Sequence, residues 1–160
     1  MDENTEGISV RRATVADIDG VVASSTGLFR EDGATRDPLR NPEWPKFNAS
    51  NYENGNMVNP DMLVLVAEHD GAVVGHLTGA FYAPSAMWIG ARAHLISMHV
   101  MPAWRGQDVG GRLIEQFKAW AKEKGAVQLR VTAYAANEGA IRFYQRHGFA
   151  LLESTFAIDV

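Results

Sequence analysis

One stretch decides the fold: Val100-Met101-Pro102-Ala103-Trp104-Arg105-Gly106-Gln107-Asp108-Val109-Gly110-Gly111-Arg112-Leu113. A strand predicted over residues 91–100 ends at Pro102, a glycine-bearing loop follows, and a helix is predicted over residues 109–124. The helix has the most regular apolar spacing in the chain, and Gly125 is the expected residue after its end. Its apolar positions, which form one face, are Leu113, Ile114, Phe117, Trp120 and Ala121.

The loop has the features of an anion site. The first backbone N–H groups of a helix have no partner inside the helix, so they favour an anion together with the helix dipole. Gly110 and Gly111 would let a phosphate approach the backbone, and Arg105 adds a positive charge. An ordinary strand-to-helix turn with a surface arginine accounts for the same residues. The Walker loop and the dinucleotide-binding glycine pattern both fit worse, because their lysine and glycine spacings are missing.

The rest of the chain mixes strands and helices. Alternating apolar residues predict strands over residues 8–11, 62–68, 72–81, 127–132 and 151–158, and helical spacing predicts helices that begin after Thr14 and at Asn137. Residues 30–60 are rich in Asn, Pro, Gly and charge, which predicts an irregular segment with one or two short helical turns. The order favours one α/β (α+β) domain over residues 1–160, with a mixed, mostly antiparallel sheet flanked by helices.

Composition excludes several classes of protein. At 160 residues the chain is long enough for one full core, and its net charge of -4 does not favour nucleic acid or an anionic membrane. The absence of Cys excludes disulfides, thiolate metal sites and a cysteine nucleophile. The polar, acidic N-terminus is unlike a signal peptide and no apolar run is long enough to span a bilayer, so we expect a cytoplasmic protein.

A second motif is more specific than the glycine loop. It is Asn137-Glu138-Gly139-Ala140-Ile141-Arg142-Phe143-Tyr144-Gln145-Arg146-His147-Gly148-Phe149. Together with residues 100–113 it resembles the two signatures of the GNAT superfamily, the acyl-CoA-dependent N-acyltransferases. The resemblance covers nearly the whole chain except residues 30–60. It implies the three-layer GNAT fold and an acetyl-CoA-dependent N-acetyltransferase that uses no metal.

The resemblance also implies a cofactor site. The residues that it places against acetyl-CoA are Met98, His99, Val100, Arg105, Gly106, Gln107, Asp108, Val109, Gly110, Gly111, Asn137, Ala140 and Tyr144. Asp108 departs from the pattern, because the family usually has glycine there. A carboxylate about 4 Å from a phosphate charge would be repelled by roughly 4 kcal/mol at an effective dielectric near 20, so either Asp108 points away from the pyrophosphate or the binding of CoA is weakened. Asp tolerates left-handed backbone and is a good helix N-cap.

Three chemical tasks follow from direct attack of an amine on the thioester. Backbone N–H groups of residues 98–100 would stabilise the thioester oxygen. Tyr144 would protonate the leaving thiolate, since a phenol has a reference pKa of about 10 and a thiol about 8.5. His94 is the candidate base, at the place where a related subfamily has the first of two relay histidines; Ile96 stands at the second. Strand alternation puts His94, Ile96 and Met98 on one face. His99 would lie on the opposite face unless a bulge intervenes.

The acceptor and the assembly are less defined. The acceptor would be a small-molecule or peptide amine, with Glu31, Asp32 and Asp37 as candidates for holding its ammonium group. Five aromatic residues are candidates for the lining of an acceptor pocket, and a core or a dimer contact accounts for them equally well: Trp44, Tyr52, Phe81, Tyr82 and Trp88. The alternative function is a non-catalytic acyl-CoA-binding sensor on the same fold, and a homodimer is possible.

Overall fold

The computed structural model describes residues 7–160, which form one five-stranded sheet with helices on both faces. The strands are β1 (Ile8–Arg12), β2 (Met62–His69), β3 (Ala72–Tyr82), β4 (Arg92–Val100) and β5 (Gln128–Val131), and the helices are α1 (Ile18–Thr35), α2 (Trp44–Val58), α3 (Val109–Glu123) and α4 (Glu138–Arg146). The strands lie in the order β1-β2-β3-β4-β5, antiparallel except for the parallel pair β4–β5. This confirms the predicted mixed sheet and α/β class. Within the described residues, no helix is long and apolar enough to cross a membrane.

The main core lies between the sheet and α3. The apolar stripe predicted for this helix is buried against β2, β3 and β4, and it includes Leu113, Ile114 and Phe117, each fully buried. Gly79 is required on this face, because a Cβ there would lie 2.7 Å from the Phe117 ring. Helices α1 and α2 cover the opposite face, so the sheet is the middle of three layers.

The prediction for residues 30–60 was wrong in its main point. Helix α1 continues to Thr35, and α2 is a helix of 15 residues rather than one or two turns. The buried positions of α2 are Pro45, Ala49, Glu53 and Asn56, which have helical spacing. Two of these are polar, so the stripe is invisible to a search for apolar periodicity. Glu53 is stabilised inside by Thr78, whose Oγ1 donates to Glu53 Oε1 at 3.0 Å.

The predicted last strand is also absent. Residues 151–158 alternate as a strand would, yet they form no ladder and every one of them is exposed. Alternation describes which faces a strand would present, but a strand also needs a neighbour with free N–H and C=O groups. Within this single copy of residues 7–160, the segment pairs with no such neighbour.

Candidate active site

The site is built around a gap between β4 and β5. The two strands pair from Arg92 opposite Gln128 to Leu95 opposite Val131, and there the pairing stops. Strand β4 continues to Val100, so residues 96–100 have no strand along one edge within the described chain. Free backbone groups at a splayed parallel pair can accept or donate to a bound molecule.

Alternation along β4 determines which N–H groups face the gap. The Met101 N–H donates to Val74 O at 2.8 Å, toward β3. In an antiparallel ladder alternate residues share this direction, so the His99 N–H also faces β3, whereas the N–H groups of Met98 and Val100 face the gap. Of the three backbone donors suggested by sequence, two are therefore available there and His99 is used inside the sheet.

A bulge in β4 changes the expected side-chain faces. Gly79 lies opposite Leu95 but Thr78 lies opposite Ser97, which leaves Ile96 as the extra residue. Residues directly opposite share a face, so His94 and His99 lie on the α1–α2 side and Met98 on the α3 side. The prediction that His94, Ile96 and Met98 share one face was wrong, because regular alternation does not continue through a bulge.

The glycine loop brings the start of α3 close to α4. Helix α3 begins at Val109, as the sequence predicted. A Cβ on Gly110 would lie 3.1 Å from the Phe143 ring and 4.0 Å from the Met98 methyl group. Glycine at 110 therefore lets three parts of the site meet: the loop, the free edge of β4 and the motif helix α4. The other loop glycine, Gly106, has φ of 76°, a left-handed conformation that favours glycine.

Asp108 occupies the position before α3 in left-handed backbone, with φ of 58°. Its side chain makes no capping hydrogen bond, although the sequence allowed one, so it does not occupy the free N–H groups of the first turn. The carboxylate lies against Gly111 instead, where Oδ1 occupies the space that a Cβ would need. The family usually has glycine at this position, and here an aspartate adopts the left-handed conformation. Its negative charge therefore lies beside the start of α3.

Arg105 does not project over the glycine loop. Its Nε donates to Val100 O at 2.9 Å, and its guanidinium pairs with the Glu31 carboxylate and lies 3.1 Å from His99 Nε2. The arginine thus joins the end of β4 to α1. Burial acts to raise the pKa of Glu31, but the hydrogen bond and charge of Arg105 outweigh it and lower that pKa. The next loop side chain, Gln107, donates from Nε2 to Ala103 O at 3.2 Å.

Helix α4 forms the other wall of the site. Asn137 caps it, because the side-chain oxygen accepts from the Ala140 N–H at 3.1 Å. Tyr144 is half-buried and packs edge-on against Phe143 and Phe149, with ring centroids 5.4 and 5.7 Å away. Burial, with a smaller contribution from the Asp32 carboxylate, raises the pKa of the Tyr144 phenol to about 12. The phenol is therefore a proton donor at any physiological pH.

His94 lies in the last paired part of β4, beside the gap. Its ring contacts that of Tyr82, with centroids 4.7 Å apart, and its Nε2 is buried with no hydrogen-bond partner among the described residues. Burial and the positive charges of Arg92 and Arg130 lower the His94 pKa, against a smaller opposing effect of Glu153. The imidazole is consequently neutral near pH 7, the form that can accept a proton.

A buried polar row that includes His99 lies behind the gap, and the sequence did not single out its other members. The Ser24 hydroxyl lies 2.7 Å from His76 Nδ1 and 3.2 Å from His99 Nδ1, and His76 Nε2 lies 3.1 Å from Ser97 Oγ. Burial, with a smaller effect of His99, lowers the pKa of His76 to about 3, so its ring is neutral. The available signal was a histidine and a threonine at alternate positions of the otherwise apolar strand β3.

The candidate acceptor residues fall into separate groups. Asp32 pairs with Arg36 at 2.9 Å, and Asp37 accepts from the Tyr134 hydroxyl at 3.1 Å, which joins the end of α1 to the loop after β5. The five aromatic residues named from the sequence lie in three places. Trp44 stacks on Phe29 and contacts Tyr52. The rings of Tyr82 and Trp88 both contact Arg92, and Phe81 faces Lys124. They do not form one pocket.

Comparison with known proteins identifies the family. Residues 19–149, which include both motifs and the gap, match the model of the acetyltransferase (GNAT) family. The chain belongs to the GNAT acetyltransferase family. A curated relative in this family, thialysine N-epsilon-acetyltransferase of Mus musculus, is 32% identical over 95 residues, covering 54% of this chain and 55% of the relative. The chain thus spans about half the length of the curated relatives that it matches.

Solved structures show the same GNAT fold. A tetramutant of the BH1408 protein from Bacillus halodurans has a TM-score of 0.87 at 18% identity, covering 95% of this chain and 99% of that one. A protein from Clostridium acetobutylicum that is described as a predicted acetyltransferase, solved with acetyl-CoA, has a TM-score of 0.73 at 18% identity, covering 95% of this chain and 96% of that one. GNAT structures bind acetyl-CoA or CoA. Among residues 7–160, no group of three or more His, Asp or Glu is placed to hold a metal ion.

Proposed function

We propose that this GNAT protein transfers the acetyl group of acetyl-CoA to a small primary amine by direct attack in a ternary complex. The observation that carries the proposal is the gap between β4 and β5, which the Met98 and Val100 N–H groups face. The free N–H groups at the start of α3 and the phenol of Tyr144 complete it. These donors match the three acceptors of acetyl-CoA, which are the thioester oxygen, the pyrophosphate and the leaving sulfur.

The cofactor would extend from the glycine loop into the gap. Its pyrophosphate would accept from the backbone N–H groups that begin α3, at Val109, Gly110 and Gly111, because they have no partner inside the helix. The thioester end would then follow the free edge of β4. There the carbonyl oxygen, which becomes negative as the amine adds, would accept from N–H groups already held in place by the sheet.

Tyr144 would assist the departure of the sulfur. With the phenol pKa at about 12 and a reference thiol pKa of about 8.5, full proton transfer to a solvated thiolate would be uphill by about 5 kcal/mol. A thiolate buried in the same apolar gap has its own pKa raised, which reduces this difference. We therefore assign Tyr144 a hydrogen bond to the developing thiolate first and proton delivery only as the bond breaks.

The amine would enter from the α1–α2 side of the sheet. Asp32 of α1 acts electrostatically on Tyr144, but its carboxylate is paired with Arg36 at 2.9 Å, so the ammonium group of the amine would have to share or displace that partner. The curated relatives are named for acetylating the ε-amine of thialysine, which is consistent with a small alkylamine. His94 would take the proton of the amine, because it is neutral and its Nε2 has no other partner within the described chain.

The test is release of free thiol from acetyl-CoA over a panel of amines that includes thialysine, lysine and aminoglycosides. We expect amine-dependent thiol release that Tyr144→Phe reduces about 10²–10⁴-fold, the usual range for a positioned acid. Tyr52→Phe is the matched control, because Tyr52 lies on α2 beside Trp44, and it should retain activity.

Two results would contradict the proposal. Stabilisation by acetyl-CoA, about 2.7 kcal/mol at 100 times its Kd, without thiol release on any amine would favour the non-catalytic sensor. No stabilisation by acetyl-CoA at all would exclude both the enzyme and the sensor.

A further inference from the structure

Five side chains form one continuous row of hydrogen bonds from the protein surface to the α1–α2 side of β4. Arg105 Nη2 lies 3.1 Å from His99 Nε2, and His99 Nδ1 lies 3.2 Å from Ser24 Oγ. Ser24 Oγ lies 2.7 Å from His76 Nδ1, and His76 Nε2 lies 3.1 Å from Ser97 Oγ. The three inner members, Ser24, His76 and His99, are buried, so they have to satisfy one another.

The contact with Arg105 gives this row a direction. A guanidinium group has only donors, so Arg105 can approach His99 Nε2 to 3.1 Å only if that nitrogen accepts. His99 is then neutral, with its one hydrogen on Nδ1. The Glu31 carboxylate lies farther from the same nitrogen, at 3.5 Å, and is already paired with Arg105. Burial is the largest effect on the pKa of His99 and lowers it, which agrees with a neutral ring.

The other contacts then allow one arrangement of hydrogens. Because His99 Nδ1 donates to Ser24 Oγ, the Ser24 hydroxyl donates to His76 Nδ1. His76 is also neutral, since burial lowers its pKa to about 3, so its one hydrogen is on Nε2 and is donated to Ser97 Oγ. The hydroxyl hydrogen of Ser97 is not used by the row. Successive donors that point the same way polarise one another, so this last hydroxyl is a stronger donor than an isolated serine.

Ser97 ends the row beside the gap between β4 and β5. It lies opposite Thr78, which contacts α2, so the Ser97 side chain is on the α1–α2 side from which the amine would enter. It is partly exposed, unlike the inner members of the row. The peptide unit between Ser97 and Met98 carries the Met98 N–H, which faces the gap. The Ser97 hydroxyl and this N–H are therefore neighbouring donors.

We propose that the Ser97 hydroxyl donates to the thioester oxygen of acetyl-CoA, as a third donor beside the N–H groups of Met98 and Val100. Arg105 sets the direction of this hydroxyl through the row. The inference rests on the proposed function for the oxygen that Ser97 meets. An oxygen on which negative charge develops is stabilised by several donors that are already held in place. Ser97 is then a catalytic residue, whereas Arg105 and the inner members of the row are positioning residues.

The same direction excludes the row as an exit for the proton of the amine. Ser97 Oγ accepts from His76, and His76 Nε2 already carries a hydrogen. A proton that reached Ser97 would therefore find no acceptor behind it. His94 lies outside the row and stays the base of the proposed reaction.

The direction of the row is tested by the ring nitrogen resonances of isotopically labelled histidines in the protein without acetyl-CoA. We expect the hydrogen on Nδ1 of His99 and on Nε2 of His76. In Arg105→Met both should move to the other nitrogen, because His99 Nε2 can then donate to Glu31. Arg112→Met is the matched control, since Arg112 lies on α3 at the other face of the sheet, and it should change neither ring. A hydrogen on His99 Nε2 in the parent protein, or unchanged rings in Arg105→Met, would overturn the direction of the row.

The contact with the thioester is tested by the infrared carbonyl band of bound, isotopically labelled acetyl-CoA. A donor lowers the frequency of this band, so the frequency should be higher in Ser97→Ala than in the parent protein. Ser97→Thr keeps the hydroxyl and should give the parent frequency. Equal bands in the parent protein and Ser97→Ala would contradict the contact. If no acetyl-CoA band is bound at all, the proposed function itself fails, so the two failures are distinguishable.

Kinetics at saturating acetyl-CoA measure the size of the effect. Ser97→Ala should lower kcat about 10²-fold with little change in the KM of the amine, as expected for the loss of one donor to the developing charge. Arg105→Met should also lower kcat, because the reversed row turns the Ser97 hydrogen toward His76. The double variant should be no slower than Ser97→Ala alone, since Arg105 acts through the hydroxyl. Additive losses in the double variant would contradict the positioning role of Arg105.

Discussion

Removal of the charge at position 108 should tighten the binding of CoA. The Asp108 carboxylate lies beside Gly111 in the first turn of α3 and makes no capping hydrogen bond. A pyrophosphate bound at that turn would lie within about 6 Å of the Asp108 carboxylate. At an exposed position with an effective dielectric of about 50, the two negative charges would repel each other by about 1 kcal/mol. Asp108→Asn keeps the side-chain shape and the tolerance for left-handed backbone, so it isolates the charge. We expect about fivefold tighter binding of CoA.

Calorimetric titration with CoA at low and high salt is the assay. The gain should shrink as salt rises, because screening weakens the same repulsion in the parent protein. Glu123→Gln is the control, since it removes one negative charge from the exposed far end of α3 and should leave the Kd unchanged. Unchanged or weaker binding by Asp108→Asn, or an equal gain from Glu123→Gln, would refute the placement of the pyrophosphate beside the helix start.

Three further outcomes are expected. Because the pKa of His94 lies below its usual value, the acid limb of the plot of kcat/KM against pH should have its midpoint below pH 6.5. His94→Gln should lower kcat and remove that limb, and an unchanged limb would exclude His94 as the base. Gly110→Val should abolish CoA binding measured by calorimetry, since Phe143 leaves no room, whereas Gly139→Val, with no atom nearer than 3.9 Å, should retain it; equal binding by both would contradict the close approach. His76 is neutral in the folded protein, where its pKa is about 3, so as pH falls through 6.5 the unfolded chain binds a proton that the folded protein does not. The free energy of unfolding should therefore drop by about 2 kcal/mol between pH 7 and pH 5. In a series of denaturant titrations His76→Asn should remove this drop, and an unchanged drop would mean that other groups cause it.

The sequence predicted those parts of the fold that depend on local periodicity. Helix α3 was predicted because its apolar stripe is unbroken and glycine follows its end. Helix α2 was missed because Glu53 and Asn56 occupy buried positions, where Thr78 and local hydrogen bonds satisfy them. Polar residues with partners elsewhere in the chain have no pattern of their own in a single sequence.

The site was predicted in its motifs and less well in its geometry. Motif matching named the loop, the free edge of β4 and Tyr144. It could not show that Arg105 turns back to Glu31, because that pair joins distant elements. The bulge at Ile96 is a property of the pairing between β3 and β4, so the face of His94 was not readable from β4 alone. The C-terminal strand was expected from alternation, but alternation does not show whether a neighbouring strand with free N–H and C=O groups is present, and none pairs with residues 151–158 within the described chain.

The most direct test of the central claim is a titration of the isotopically labelled protein with acetyl-CoA, followed by the shifts of its backbone amide resonances. If the thioester and pyrophosphate occupy the gap and the start of α3, the amides of Met98, Val100, Gly110 and Gly111 should shift most, while those of β1 stay in place. Tight binding of acetyl-CoA with these four amides unmoved would contradict the site described for this protein.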